Sequence, residues 1–133
     1  MLKLFRKKKK VTMPKILVVD DEPDLRATVA YRLKFSECEV VTACNGREGL
    51  EQAMAEMPDL ILLDKNMPEM DGHQMLKQLR STAEIKHIPV IMVTAISEPS
   101  DIAAVSEYGI SDYVTKPFNF AELMEKVHDA LEA

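Results

Sequence analysis

The chain has 133 residues, a length typical of one domain with its own hydrophobic core. Of its residues 47% are hydrophobic and 29% are charged, with 4 glycines and 7 prolines, so collagen-like and wholly disordered chains are excluded. The net charge is -5, but the first ten residues carry +6 and residues 11–133 carry -11. Because an acidic body repels phosphates, we expect no direct binding of DNA by the domain.

A basic segment precedes the first apolar run. We predict a disordered basic tail at 1–13 and a folded domain at 14–133. The alternative for the tail is weak contact with an anionic surface, because each cation gains about 1 kcal/mol near anionic lipid. No apolar run reaches the roughly 18 residues of a membrane-spanning helix, and no signal peptide is evident, so a cytoplasmic protein is expected.

Residues 15–19 comprise Lys15 and the first run of four apolar residues, and Asp20, Asp21 and Glu22 follow directly. A segment that is apolar at every position, rather than at alternate positions, is typical of a strand buried on both faces of a parallel sheet. Pro23 suits the first turn of a helix. The spacing of the next apolar residues predicts that helix, with an inner face of Leu25, Val29 and Leu33.

A short strand is predicted at 39–43, followed by a helix that Asn45 caps with Glu48 as its capping-box partner. The buried face of this helix is predicted to comprise Leu50, Ala53, Met54 and Met57. Cys38 and Cys44 lie on either side of the strand without the spacing of a metal site. We therefore expect both to be buried, reduced thiols.

Residues 60–63 are four large apolar residues that run without a break into a single carboxylate, Asp64. This pattern again predicts a strand buried on both faces. The following loop, 65–72, is rich in turn-forming residues, and Asp71 can cap the next helix. The buried face of that helix is predicted to comprise Met75, Leu76 and Leu79.

A fourth apolar run at 88–93 predicts a strand that leads to Thr94. A helix with few apolar residues on its inner face is predicted at 99–108, and Gly109 closes it. A short strand at 112–115 follows and leads to Lys116. The terminal helix begins after Asn119, which is predicted to cap it with Glu122 as the partner.

Strands and helices thus alternate five times along the chain. Such alternation predicts an α/β fold of the (βα)5 type, in which helices cover both faces of a doubly wound, five-stranded parallel sheet. Ligands of open α/β sheets bind at the carboxyl ends of the strands. The residues predicted to meet at that edge are Asp20, Asp21, Asp64, Thr94 and Lys116.

Three clustered carboxylates repel one another and raise one another's pKa unless a cation offsets them. Mg²⁺ fits this cluster because it prefers oxygen ligands and commonly bridges carboxylates to a phosphoryl group, and Mn²⁺ is an alternative. Lys116 supplies a compact charge for a phosphoryl oxygen, and the Thr94 hydroxyl can donate to another. Because a carboxylate is the only good nucleophile evident, we predict transfer of a phosphoryl group to Asp64.

At this point the sequence resembles the receiver domain of two-component response regulators over about residues 14–133. The likeness rests on four motifs in register, which are Val-Val-Asp20-Asp21-Glu22-Pro23, Leu-Leu-Asp64-Lys-Asn66-Met67-Pro68-Glu-Met70-Asp71-Gly72, Val-Thr94-Ala95 and Tyr113-Val-Thr-Lys116-Pro117-Phe118. The resemblance implies a flavodoxin-like, CheY-like three-layer sandwich. It also implies a phosphoacceptor that catalyses its own phosphotransfer and dephosphorylation, and not an enzyme acting on other molecules.

The resemblance implies a role for each matching residue. Asp64 would accept the phosphoryl group from a phosphohistidine of a sensor histidine kinase or histidine phosphotransfer protein, and Lys116 would bind it. The magnesium ligands would be Asp21 and Asp64 directly, Asp20 through water, and the backbone carbonyl of Asn66. Thr94 and Tyr113 would be switch residues that alter binding of a downstream protein target, and the peptide bond after Lys116 is expected to be cis.

One position departs from the family pattern. Ile96, two residues beyond Thr94, is apolar where many receivers have a polar or charged side chain. Our hypothesis is that Ile96 shields the aspartyl phosphate from water and slows its hydrolysis. The loop at 94–100, the weakly apolar helix at 99–108 and the strand that carries Tyr113 are expected to move on phosphorylation, because segments of low stability are the ones free to move.

Two alternatives come from other functional classes. A pseudo-receiver would act as a scaffold that binds proteins without phosphorylation. A phosphatase of the haloacid dehalogenase type would use Asp64 as its nucleophile, but that family's pattern is Asp-x-Asp, and here Asn66 takes the second place. The chain could also be a stand-alone receiver or part of a longer regulator, and the lack of a linker after the terminal helix favours the first.

Overall fold

The computed structural model describes residues 13–67, 69–94 and 107–132. The strands are β1 (Lys15–Val19), β2 (Glu39–Ala43), β3 (Leu60–Asp64), β4 (Val90–Thr94) and β5 (Asp112–Thr115). The helices in the described ranges are α1 (Pro23–Phe35), α2 (Gly46–Glu56), α3 (Gly72–Arg80) and α4 (Phe120–Glu132). The basic tail and most of the helix predicted at 99–108 lie outside the described residues.

The five strands form one parallel sheet in the order β2-β1-β3-β4-β5, which confirms the predicted doubly wound α/β fold. The strand order reverses between β1 and β3, because β2 lies on one side of β1 and the later strands lie on the other. Doubly wound sheets bind ligands in the crevice at such a reversal. Asp20 follows β1 and Asp64 ends β3, so both aspartates lie at this crevice.

Two hydrophobic clusters cover the two faces of the sheet. The first lies beneath α2 and α3 and includes Leu17, Val19, Ile61, Leu63, Met75 and Leu76. The second lies beneath α1 and α4 and includes Ile16, Val18, Leu33, Leu62, Leu123 and Val127. Alternate residues of β1 and β3 therefore enter opposite clusters, which explains why their sequences are apolar at every position.

The predicted helix caps are present, with one correction. Asn45 Oδ1 accepts from the Glu48 N–H at 2.8 Å, as expected. The Glu48 carboxylate accepts from the Cys44 N–H at 2.6 Å, one residue before the position that a capping box requires. Asp71 forms the complete capping box, with Gln74 as its partner.

The predicted buried face of α2 is wrong at two positions. Met54 and Met57 are 45% and 47% exposed, whereas the buried residues of the helix are Gly46, Gly49 and Ala53. A Cβ at Gly49 would lie 2.8 Å from the Met75 sulfur, so α2 packs closely against α3 through its glycines.

The expectation for the cysteines is half right. Cys38 is buried as predicted, but Cys44 is exposed, because it follows the edge strand β2 where that strand leaves the sheet. None of the described helices combines the length and apolar character that crossing a membrane requires.

Candidate functional site

The structure brings the three predicted carboxylates together at the carboxyl edge of the sheet. One oxygen each from Asp20, Asp21 and Asp64 can be chosen so that all lie within 4.8 Å of one another. Asp20 and Asp64 are only 5% and 3% exposed. Within the described ranges these residues form a compact acidic cluster that is largely shielded from water.

Backbone contacts fix the turn that carries Asp20. Its N–H donates to the Ala43 carbonyl of the neighbouring strand at 3.1 Å, and its carbonyl accepts from Arg26 Nη1 at 2.7 Å. Its Oδ1 accepts from the Glu22 N–H at 2.8 Å. The second carboxylate oxygen, Oδ2, lies 3.5 Å from Lys116 Nζ.

Asp64 is held at the end of β3 by backbone contacts of the two residues that follow it. The Lys65 N–H continues the ladder to the Val93 carbonyl at 3.0 Å, and Asp64 Oδ1 accepts from the Asn66 N–H at 3.2 Å. The start of α3 packs directly on this turn. A Cβ at Gly72 would overlap the Asp64 carbonyl oxygen, so only glycine fits there.

Lys116 is the cation that the structure places in the cluster. Its backbone N–H donates to the Thr94 carbonyl at 2.7 Å, and the peptide bond between Lys116 and Pro117 is cis, as predicted. Its Nζ lies 3.5 Å from Asp64 Oδ2 and 3.1 Å from Glu22 Oε1. The lysine thus contacts one carboxylate that the sequence did not single out as a ligand.

Negative charge exceeds positive charge at this edge of the sheet. Burial raises the pKa of Asp64 to about 7, and the Asp20 charge adds to that rise, whereas Lys116 opposes it. Burial alone would lower the pKa of Lys116, but the Glu22 hydrogen bond and the Asp64 and Asp20 charges outweigh burial and raise it. Lys116 therefore stays charged, yet it cannot neutralise the cluster.

The remaining predicted residues lie at varying distances from the acids. Thr94 is 3% exposed and ends β4, the strand next to Asp64. Asn66 is exposed, while its N–H binds the Asp64 carboxylate. Tyr113 lies on the edge strand β5, 36% exposed, with Lys126 Nζ 5.9 Å from its ring centroid. Ile96 lies outside the described residues.

Sequence reasoning missed three residues that shape the site. Glu22 carried a usable signal, because glutamate is a poor N-cap residue and yet precedes a helix that begins with proline. Gly72 carried a weaker one, since a glycine at the first position of a helix indicates a close approach. Arg26 carried none, because its contact with the Asp20 carbonyl depends on tertiary structure.

Comparison with known proteins agrees with this geometry. Residues 16–128 match the family model of the response regulator receiver domain. The chain belongs to the response regulator receiver domain family. This membership confirms the predicted class, a phosphoacceptor receiver domain of two-component signalling.

Two relatives illustrate the sequence similarity. The receiver domain is 43% identical over 117 residues to the transcriptional regulatory protein PrrA of Mycobacterium tuberculosis, covering 88% of this chain and 49% of PrrA. It is 42% identical over 113 residues to the alkaline phosphatase synthesis transcriptional regulatory protein PhoP of Bacillus subtilis, covering 85% and 46%. The chain spans about half the length of the curated relatives it matches.

Solved structures give the same fold. The chemotaxis protein CheY4 of Vibrio cholerae superimposes with a TM-score of 0.85 at 33% identity, covering 89% of this chain and 98% of CheY4. The Francisella response regulator 1452 receiver domain gives a TM-score of 0.82 at 29% identity, covering 90% and 97%.

Proposed function

We propose that this receiver domain accepts a phosphoryl group on Asp64 from a phosphohistidine of a sensor histidine kinase or a histidine phosphotransfer protein. A carboxylate oxygen of Asp64 forms a bond to phosphorus, the P–N bond to the donor histidine breaks, and the imidazole leaves with the electron pair. The observation that carries the proposal is the buried Asp64 carboxylate 3.5 Å from Lys116 Nζ, beside two further aspartates.

The donor set fits a magnesium ion. Three carboxylates offer hard oxygen atoms within 4.8 Å of one another, and among the described residues the ion pairs of this cluster are with the single lysine Lys116, which leaves surplus negative charge. Asp20, Asp21 and Asp64, with the Asn66 carbonyl, would hold Mg²⁺, and Mn²⁺ has the same ligand preference. When bound, the ion supplies positive charge next to the phosphoryl oxygens.

The side chains of the receiver domain divide the remaining work. The Asn66 N–H holds Asp64 Oδ1, which leaves Oδ2 on the side of Lys116. Lys116 Nζ opposes the rise in the pKa of Asp64, which favours the ionised, nucleophilic carboxylate, and then donates to a phosphoryl oxygen. The Thr94 hydroxyl donates to a second phosphoryl oxygen, because β4 ends beside β3.

The proposed output is a change in protein binding. Phosphorylation adds up to about two negative charges at Asp64, and Thr94 would transmit that change towards Tyr113 on β5. The exposed ring of Tyr113 would then move inward and alter the face offered to a downstream protein target. We also propose that the receiver domain hydrolyses its own aspartyl phosphate, and that it works in the cytoplasm.

The proposal is tested by intact-protein mass spectrometry after incubation with acetyl phosphate, with and without Mg²⁺. We expect a magnesium-dependent gain of one phosphoryl group that is absent in Asp64→Asn. Asp129→Asn is the matched control, because Asp129 is an exposed aspartate of α4. An equal gain in Asp64→Asn, or no gain with either acetyl phosphate or a histidine phosphotransfer protein, would contradict it.

A further inference from the structure

Glu22 occupies a helix-capping position without capping the helix. It is the N-cap residue of α1, yet its side chain makes no capping hydrogen bond. Short side chains such as serine and aspartate normally fill that role. The Glu22 carboxylate reaches Lys116 Nζ instead, at 3.1 Å and across 94 residues of sequence. Its side chain is therefore directed to the acidic cluster.

The backbone around Glu22 makes this placement a fixed one. The Glu22 N–H donates to Asp20 Oδ1 at 2.8 Å, and its carbonyl accepts from the Arg26 N–H at 2.9 Å. The main chain is thus part of the turn that carries Asp20. The side chain is 60% exposed, so the contact with Lys116 forms at the outer mouth of the site.

Lys116 has as many carboxylate neighbours as it has donors. An ammonium group offers three N–H donors. Its Nζ faces Glu22 at 3.1 Å, and Asp20 and Asp64 at 3.5 Å each. Within the described residues, Lys116 Nζ hydrogen-bonds to Glu22, whereas its contacts with Asp20 and Asp64 are ion pairs only, so a phosphoryl oxygen that binds Lys116 competes with Glu22 for a donor. Asp20 and Asp64 are buried, whereas the Glu22 carboxylate can return to water, so Glu22 is the partner that leaves.

We propose that Glu22 is a positioning residue that competes with the incoming phosphoryl group for Lys116 and so slows phosphorylation of Asp64. The inference rests on the proposed function of Asp64. Because exposed ion pairs are weak, the competition is modest, and Glu22→Gln is expected to raise the rate of phosphorylation about 2- to 5-fold.

Simple repulsion of an anionic donor by Glu22 would also slow the reaction, so the test needs a matched charge change. Asp24→Asn provides it, because Asp24 is an exposed acid two residues later in the first turn of α1. Both variants remove one negative charge from the same helix end. Only Glu22→Gln removes a charged contact with Lys116.

The experiment measures the rate constant for the gain of one phosphoryl group at saturating Mg²⁺ in wild type, Glu22→Gln and Asp24→Asn. Acetyl phosphate and phosphoramidate, which differ in charge, serve as donors. With acetyl phosphate, Asp64 oxygen bonds to phosphorus while the P–O bond breaks and acetate leaves with the electron pair. We expect the acceleration by Glu22→Gln to be the same for both donors, and Asp24→Asn to change neither rate by more than about 1.5-fold. Thermal unfolding checks that each variant is folded.

Each outcome separates this inference from the proposed function. Wild type that is phosphorylated at the same rate as Glu22→Gln overturns the inference alone. So does an acceleration that Asp24→Asn reproduces, or one that is confined to acetyl phosphate, because donor repulsion would then explain it. Wild type that gains no phosphoryl group from acetyl phosphate, from phosphoramidate or from a histidine phosphotransfer protein overturns the proposed function and the inference together.

Discussion

Charged side chains lie at the two opposite edges of the sheet, and their charges are compensated to different extents. At the carboxyl edge, Asp20, Asp21 and Asp64 share Lys116, whose Nζ lies 3.5 Å from two of them. At the amino edge, the Arg80 guanidinium donates to four backbone carbonyls at 2.7 to 3.0 Å. These carbonyls belong to Tyr108, Lys86, Ile88 and Gly109.

The difference separates a structural charge from a functional one. Four of the five N–H donors of Arg80 meet a backbone carbonyl, so the charge is spread over fixed dipoles. In the part of the chain that the structure describes, the acidic cluster has fewer such contacts, and burial and the Asp20 charge raise the pKa of Asp64 to about 7 although Lys116 opposes the rise. The surplus negative charge at this strand end can be offset by a bound cation, and a phosphoryl group can then bind beside that cation.

The largest expected effect breaks the satisfied edge. Arg80→Met removes four charge-assisted hydrogen bonds and leaves their carbonyls without this donor, so we expect a loss of roughly 3 kcal/mol in the free energy of unfolding. Arg80→Lys should recover little, because an ammonium cannot reach four carbonyls at once. Urea unfolding measures both.

Lys77→Met is the control for this pair, since Lys77 is an exposed residue in the same last turn of α3. It should change the free energy of unfolding by less than about 0.5 kcal/mol. A loss in Arg80→Met as small as that of the control would contradict the structural role of Arg80.

The second largest expected effect comes from removing the Asp64 charge from the acidic cluster. In magnesium-free buffer at pH 8, we expect Asp64→Asn to raise the free energy of unfolding by about 2 kcal/mol, because it removes a buried charge. The Asp64 carboxyl ionises near 3.8 in the unfolded chain and near 7 in the fold. Between these values the unfolded chain binds fewer protons, so wild type loses stability as pH rises from about 4 to 7.

The advantage of Asp64→Asn should therefore be largest at and above pH 7 and should vanish near pH 4. Saturating Mg²⁺ should abolish it at pH 8 by stabilising wild type more than the variant, which keeps Asp20 and Asp21 but lacks the third carboxylate. Thermal or urea unfolding across this range measures the difference. A variant less stable than wild type at pH 8 without Mg²⁺ would show that the cluster is not under repulsion.

The smallest effect deepens the charge surplus. Lys116→Met removes the cation beside Asp20 and Asp64, so we expect the Kd for Mg²⁺ to fall about five-fold, or roughly 1 kcal/mol. Isothermal titration calorimetry measures the Kd. Lys126→Met is the control, because Lys126 pairs with Asp112 and contacts the Tyr113 ring away from the cluster. Weaker binding by Lys116→Met would contradict a competition between lysine and metal.

Much of the fold could be predicted because its three central strands, β1, β3 and β4, are buried on both faces. The unbroken runs in β1 and β3 follow from alternate residues entering opposite clusters, and Asp20 and Asp64 stand at strand ends that parallel topology brings together. The caps Asn45 and Asp71 were predictable because capping is local chemistry.

The missed features depend on tertiary distances. Met54 is exposed because α2 approaches α3 through Gly49 and the loop before α3 through Gly46, and helical spacing alone cannot distinguish that face. From the sequence alone, Arg80 is typical of a solvated arginine in the last turn of a helix, because the carbonyls that it contacts come from distant parts of the chain. The contact between Glu22 and Lys116 could likewise not be predicted, because it joins residues that are 94 positions apart in the sequence.

The most direct test of Asp64 as the phosphoacceptor is to locate the modified residue. Protein phosphorylated with acetyl phosphate and Mg²⁺ is treated with borohydride, which reduces an aspartyl phosphate to homoserine, and the peptides are sequenced by mass spectrometry. We expect homoserine at position 64 and at no other aspartate. Homoserine at position 20 or 21, or a phosphoryl group found on a histidine, would contradict the assignment of Asp64 as the acceptor.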